Sequence, residues 1–332
     1  MLIGRRLFLA AGAASLAAGL KITPARAADF TLRLHTLVKS PHPYNDMAQR
    51  LKSEIEEKSA GRIAVRIFDS GQLGQDPAVI GEMGIGTIDM MISTVSNGVQ
   101  QIPEFGIFTM PYLLPGLNGL LEKIGPGTPV QAYFENVFVK RGLGIRLLAL
   151  GGSGTRNLAT AKVPVNSPAD LAGLKMRTPP SPMDSETWAA LGMLPVTVAW
   201  GELYAAMQTG LAQAMESSLP GYTGSKLFEV APHLALTEHT VQVNHTSIAD
   251  RSWKKLPKDL QEVVNAAAVN ANAYGLEQAK MYDDSLVKKL AAENGVQVTR
   301  PDKAAFIEKL APIQPQLAQR LNLEAEFKLL KN

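Results

Sequence analysis

The chain contains no cysteine, which excludes disulfide bracing, thiolate nucleophiles and cysteine metal ligands together. Its five histidines, at positions 35, 42, 233, 239 and 245, fall into no HExxH or other metal-ligand spacing. His233, His239 and His245 recur every six residues, which puts no two on one helical face, and structural roles are expected for them. Paired carboxylates and a nucleophile with a base in reach are also missing. Ser153 sits in Gly151-Gly152-Ser153-Gly154-Thr155, where Thr155 takes the place of the last glycine of a G-x-S-x-G elbow. The same glycine run lacks the Walker pattern and the dinucleotide spacing, and it reads as a turn between domains. No cofactor and no metal are expected.

A long apolar run is lacking as well. The stretch Leu7–Leu20 covers 14 residues, where a membrane-spanning helix needs about 20. Arg5 and Arg6 precede it, and Ala25-Arg26-Ala27 follows. A charged start, a short apolar middle and a small-x-small end make a signal peptide over 1–27. Arg-Arg-Leu-Phe-Leu resembles a twin-arginine export signal. The segment carries four basic residues and no acidic one, so its removal leaves 29 basic against 30 acidic residues. A nearly neutral mature chain gives no electrostatic footprint for nucleic acid or an acidic membrane surface. The remaining 305 residues exceed what one core usually holds, so two domains are expected.

What is present alternates between strand and helix periodicity. Phe30–His35 and Arg62–Phe68 alternate as strands. Asn45–Ala60 repeats Met47, Ala48, Leu51 and Ile55 at helical spacing, with Gly61 at its end. A helix opens at Asp76, and Ile88–Ser93 is a short strand. This β-α-β-α-β order predicts a parallel sheet covered by helices. A second series follows: strands at Ile145–Leu150, Lys175–Arg177, Pro195–Val198 and Leu211–Glu216, helices at Ser185–Leu191 and Glu202–Thr209, and a helix start at Ser167-Pro168-Ala169-Asp170. After Pro257 comes an Ala-rich helical pattern, interrupted by Gly275 and ending near Gly295, long enough to run along both domains. Short crossovers are expected between the domains, since no flexible linker is visible.

Ligands of open parallel sheets bind outside the carboxyl ends of the strands. Arg177, Trp200 and Ser217 fall at three such ends in the second series, with Thr94 at the matching place in the first and Asp76 opening a helix near the same edge. A guanidinium can hold a carboxylate by two parallel hydrogen bonds, although a surface arginine paired with an acid fits the same position. Trp200, after an apolar strand, is more often core than ligand platform.

Several ordered motifs carry a family likeness: Glu57-Lys58-Ser59-Ala60-Gly61-Arg62-Ile63, Gly71-Gln72-Leu73-Gly74-Gln75-Asp76, Gly86-Thr87-Ile88-Asp89, Gly154-Thr155-Arg156-Asn157, Asp170-Leu171-Ala172-Gly173-Leu174-Lys175-Met176-Arg177, Glu202-Leu203-Tyr204-Ala205-Ala206-Met207-Gln208-Thr209-Gly210, Lys226-Leu227-Phe228-Glu229-Val230 and Leu256-Pro257. Through them the chain resembles the periplasmic receptors of tripartite ATP-independent (TRAP) transporters, DctP-like, over nearly its whole mature length. The resemblance implies an α/β, two-domain periplasmic binding protein, each domain a mostly parallel sheet flanked by helices, joined by crossovers and a long C-terminal helix. The expected division is 28–152 plus about 242–280 for domain I and 153–241 plus about 281–332 for domain II. It also implies that Arg177 clamps a substrate carboxylate, that Arg156 is a second cationic contact, that Trp200 flanks the ligand, and that Asp76 and Thr94 supply polar contacts. Asn244 joins them as a further polar candidate. Where these receptors usually carry asparagine in Val-Asp-Gly-Gln-Glu-Asn-Pro, this chain has Ser217, whose shorter hydroxyl reaches less far.

The expectation is therefore a monomeric periplasmic receptor for a small organic acid that serves the membrane subunits of a TRAP transporter. A secreted hydrolase of small acids would need the nucleophile-base pair that is missing. A receptor reporting to a sensor protein would use the same closure. N-terminal sequencing of the exported protein is expected to start at or near Ala28; protein that still carries Met1–Lys21 contradicts the leader assignment.

Overall fold

A computed structural model describes residues 28–331, so the leader assigned to 1–27 lies outside the described residues. Strand β1 (Phe30–Thr36) pairs in parallel with β2 (Ile63–Phe68) on one side and β3 (Met90–Thr94) on the other. Helices α1 (Pro43–Lys58) and α2 (Asp76–Ile85) make the crossovers. Helix α1 starts two residues before the expected Asn45 because Pro43 suits the first turn and His42 caps it, its Nδ1 accepting the Tyr44 N–H at 3.1 Å. Helices α3 (Leu120–Ile124) and α4 (Pro129–Arg141) then lead to β4 (Ile145–Thr160).

Strand β4 is far longer than the expected Ile145–Leu150. The glycine run expected to form a turn is strand instead, and it is glycine for reasons of space. A Cβ at Gly151 would lie 2.5 Å from Asn272 Oδ1, and one at Gly152 would lie 2.3 Å from Leu120 Cδ2. The second series follows as β5 (Lys175–Thr178), α5 (Pro182–Ala190), β6 (Leu194–Thr197), α6 (Leu203–Gln208), β7 (Ala214–Ser218) and α7 (Leu219–Gly224). Helix α5 opens at Pro182, not Ser185, because the Ser181 hydroxyl caps it by accepting the Asp184 N–H. Strand β7 lies later than the expected Leu211–Glu216, since Gly210 turns at positive φ and Leu211 is exposed. Ser217 is thus inside the strand.

The chain closes with β8 (His233–Ala249), α8 (Asp250–Lys255), α9 (Lys258–Asn294), β9 (Gln297–Thr299), α10 (Lys303–Leu310), α11 (Gln314–Arg320) and α12 (Glu324–Lys331). The strand order is β2-β1-β3-β8-β4-β7-β5-β6, with β9 alongside β8. Five of the pairings are parallel; the three that join the halves, β3–β8, β8–β4 and β4–β7, are antiparallel. Two of the crossovers between the halves are therefore the long strands β4 and β8. Strand β4 meets the far part of β8 through Ile145–Gly152 and the near part through Thr155–Thr160, with a register shift between Gly152 and Thr155.

The core follows this plan. On the first half, Met47, Leu51 and Ile55 of α1 pack with Ala267, Ala268 and Ala271 of α9 on one face, while Phe105, Phe108, Phe134 and Phe138 fill the other. Leu317, Ala318, Leu323 and Leu330 from the last helices also join the Phe105 cluster. On the second half, Leu286 and Leu290 of α9 meet Met207, Met215 and Tyr222, and Trp188 and Phe306 lie across the sheet.

Helix α9 spans 37 residues, about 55 Å at 1.5 Å per residue. It is not broken at Gly275. That glycine instead lets α9 approach α1, since a Cβ there would lie 2.2 Å from Met47 Cγ and 2.3 Å from its sulfur. Gly275→Leu should gain about 1 kcal/mol of helix propensity yet lose about 1–3 kcal/mol net by overpacking. Thermal unfolding checks this, and Met47→Ala in the same chain should restore part of the loss.

Candidate functional site

The crossing of β4 and β8 brings together the parts of the two halves that carry chemistry. Six of the seven residues singled out from the sequence, Asp76, Thr94, Arg156, Arg177, Trp200 and Ser217, line one cavity of about 30 Å³. The seventh, Asn244, does not. It lies on β8 opposite Thr94, fully buried, and donates to Asn272 Oδ1 at 2.8 Å.

Arg177 is the penultimate residue of β5, which runs one residue beyond the expected Lys175–Arg177, and is 1% exposed. Its Nε–H donates to the Val198 carbonyl at 2.9 Å, which fixes the plane of the guanidinium. Among the described residues no carboxylate lies within ion-pair distance of it, and its ring neighbour is Trp200, 5.7 Å from the guanidinium carbon to the ring centroid. Burial, the largest effect on it, pushes its pKa down to about 10; Glu216 opposes that and Arg156 adds to it. Asp184 acts on it in the same sense as Glu216, from beyond ion-pair distance, and a buried cation with one backbone acceptor and no direct ion-pair partner is costly unless something supplies an anion.

Arg156 has the opposite fate. It holds the Glu216 carboxylate through both Nε and a terminal nitrogen, and donates to Gln242 Oε1 at 2.7 Å. Burial alone would raise the Glu216 carboxyl, but the Arg156 guanidinium and the His239 side chain hold it well below the usual carboxylate range. His239 Nε2 lies 3.6 Å from Glu216, and burial lowers its own pKa. The pair is therefore neutral as a unit. Gln242 also donates to the Tyr44 hydroxyl at 3.0 Å, so a chain of polar contacts runs from α1 to β7.

The opposite wall comes from the first half. Asp76 accepts from the Ser93 hydroxyl at 2.5 Å and Asn97 Nδ2 at 2.8 Å, and meets His35 Nε2 at 3.0 Å. Thr94 Oγ1 lies 3.0 Å from Ser96 Oγ. Leu37, Val38, Pro179 and Gly221 complete the lining with His42 and Tyr44. At the rim the halves touch, with the Gly201 N–H donating to Gln75 Oε1 at 3.4 Å. His42, Tyr44, Asn97, Glu216 and Gln242 are site residues that no motif or spacing marks as such. Gln242 was hidden because β8 was not recognised, and Glu216 because its partner Arg156 lies 60 positions away. Among the described residues no cluster could hold a metal ion, and no helix is long and apolar enough to cross a membrane.

Asp184, behind the site, is buried with one oxygen unpartnered. Burial and then Glu216 push its carboxyl from 3.8 up to about 6. A raised carboxyl takes its proton more readily folded than unfolded. Its contribution to stability is therefore fully present below about pH 4 and lost as pH rises through about 6. Asp184→Asn should leave stability near wild type at pH 4 and raise it at pH 8 by up to about 3 kcal/mol, measured by urea unfolding at the two pH values.

The sequence profile for bacterial extracellular solute-binding protein, family 7, matches residues 34–320. An uncharacterised protein of Sinorhizobium fredii is 31% identical over 317 residues, 94% of this chain, which spans only 57% of that relative's length. A solute-binding protein of Roseobacter denitrificans is 30% identical over 291 residues, 87% of each chain. Among solved structures, a TRAP periplasmic solute-binding protein from Bordetella bronchispeptica, with density assigned to pantoate, superposes with a TM-score of 0.85 at 26% identity, covering 91% of this chain and 99% of that one.

Proposed function

The chain belongs to family 7 of the bacterial extracellular solute-binding proteins, as a receptor of the TRAP type, and on that premise we propose that it captures a small organic carboxylate between its two halves and hands it to the membrane subunits of a TRAP transporter. The observation that carries the reading is Arg177: a buried guanidinium, oriented by Val198, without an ion-pair partner, on the wall of a cavity. A ligand carboxylate would supply the missing anion through the two terminal nitrogens. Trp200 would cover it from one side, and Ser217 would offer a hydroxyl. Arg156, already satisfied by Glu216, would lend shape and hydrogen bonding more than charge.

Closure would be driven by the ligand. The Arg177 side belongs to the second half and Asp76, Thr94 and Tyr44 to the first, so an acid held by both favours the form in which they meet. The bodies that close would be 28–152 plus about 242–280 and 153–241 plus about 281–332, with the last two helices lying back on the first. The protein would act in the periplasm as a monomer, after loss of its leader, and would release its ligand unchanged. The nature of its relatives as solute-binding proteins supports this.

Arg177→Ala should nearly abolish binding while the fold survives. Truncating one partner of a buried arginine-carboxylate pair costs about 3–5 kcal/mol, or roughly two to four decades of affinity. Arg177→Lys should recover only part, because an ammonium makes no two-pronged contact. Titration calorimetry and Trp200 fluorescence with an organic-acid panel check this, with circular dichroism as folding control. Wild-type affinity in a folded Arg177→Ala contradicts the placement.

A further inference from the structure

Beside the cavity runs a groove of about 510 Å³ that shares Leu37 and Trp200 with it. Lys39 and Gln75 of the first half and Gly201 and Gly224 of the second line this groove. None of the four belongs to β4, β8 or α9, the segments that pass between the halves. Contacts among them therefore part when the halves separate.

The two glycines differ in what they face. A Cβ at Gly201 would lie 2.7 Å from Gln75 Nε2, the free end of an exposed side chain that can swing into solvent. A Cβ at Gly224 would lie 3.2 Å from the Lys39 carbonyl oxygen and 3.7 Å from that of Pro41, which are main chain. That main chain is braced. Asn45 Nδ2 donates to the Val38 carbonyl at 3.1 Å and to the Ser40 hydroxyl at 3.0 Å, and the Ser70 N–H donates to the same Val38 carbonyl at 3.1 Å. Asn45 is itself buried in the first turn of α1, its Oδ1 accepting from the Thr36 hydroxyl. The segment from Val38 to Pro41 is thus pinned from two sides and has little room to retreat. Gly224 is the last residue of α7, and its φ lies outside the left-handed region. Its own backbone gives no reason for glycine; the approach of the first half does.

Resting on the closure reading above, we propose that Gly224 sets how far the two halves close: a hydrogen in place of a side chain lets α7 come against the braced Val38–Pro41 segment, and the tight-binding form depends on that approach. Gly224 is a positioning residue, since it does not line the cavity. A side chain there holds the halves apart and lowers the fraction of protein competent to bind. Every ligand then loses affinity by one common factor, whereas a change in the cavity wall affects ligands unequally.

Calorimetry and a distance between the halves test this on the mature full-length protein, with pantoate, erythronate, galacturonate and succinate as probes. Each acid that binds the wild type should weaken about fivefold in Gly224→Ala and about a hundredfold in Gly224→Val, whose branched side chain is stiff at Cβ. The ratios between acids should not change. Gly201→Ala should cost less than Gly224→Ala, although its Cβ meets the nearer atom, because that atom is free to move. The chain has no cysteine, so spin labels on Arg66→Cys and Gln208→Cys, exposed positions in the two halves, report the separation alone. At an acid concentration that closes the wild type, the labels should stay further apart in Gly224→Val. Its unliganded thermal midpoint should match the wild type, which separates a closure defect from a folding defect. Wild-type affinity in Gly224→Val, losses that differ from acid to acid, an unchanged label distance, or a larger cost at Gly201 overturns the inference and leaves the receptor reading standing. Failure of every acid to bind the wild type removes both.

Discussion

A guanidinium buried without a direct ion-pair partner is the constraint on which the site depends. Arg177 could have been neutralised by Glu216, which lies close enough to influence it electrostatically. Glu216 is instead engaged from both oxygens by Arg156 and approached by His239. The interior thus satisfies one arginine completely and leaves the other held only by the Val198 carbonyl. A protein carries such a cost where an anion arrives from outside to remove it. Under the proposed function, a ligand carboxylate would complete the charge balance that the fold begins.

The position of that arginine depends on the sheet. Arg177 lies next to the carboxyl end of a parallel strand, and Arg156 and Gln242 sit where β4 and β8 pass from one half to the other. The β4–β8 pairing shifts register after Gly152, and side chains from both halves line a single cavity. Tyr44 reaches the same network from α1 through Gln242. Each wall is thus supplied by a different stretch of backbone, and the contact between Gln75 and Gly201 at the rim joins the same two walls.

Much of this was legible in the sequence where local signals and function agree. The parallel strands, the long helix and six of the lining residues follow from alternation, capping and the order of motifs. The failures share a physical cause. Gly151 and Gly152 look like a turn because glycine is cheap there, yet they are glycine because Asn272 and Leu120 press against the strand. Gly275 looks like a helix break and is a close contact with Met47. Sequence shows that a side chain is absent but not what fills its place. His42 was passed over for a related reason. Its two nitrogens do different work, one capping α1 and one left open, and no spacing rule separates them. Asn244 shows the converse, a polar residue at the right edge whose donors are spent on Asn272.

The passage of the chain through both halves also bears on how the protein reaches its native state. Strand β3 pairs on one side with β1 and on the other with β8, so Met90 faces Ile248 and Thr94 faces Asn244. The first half pairs β2, β1 and β3 from its own N-terminal residues but cannot complete its sheet with them. It must wait for a strand that emerges more than a hundred and fifty positions later. Contacts of such sequence separation carry the loop-closure cost before they return any stabilisation, and folding slows accordingly.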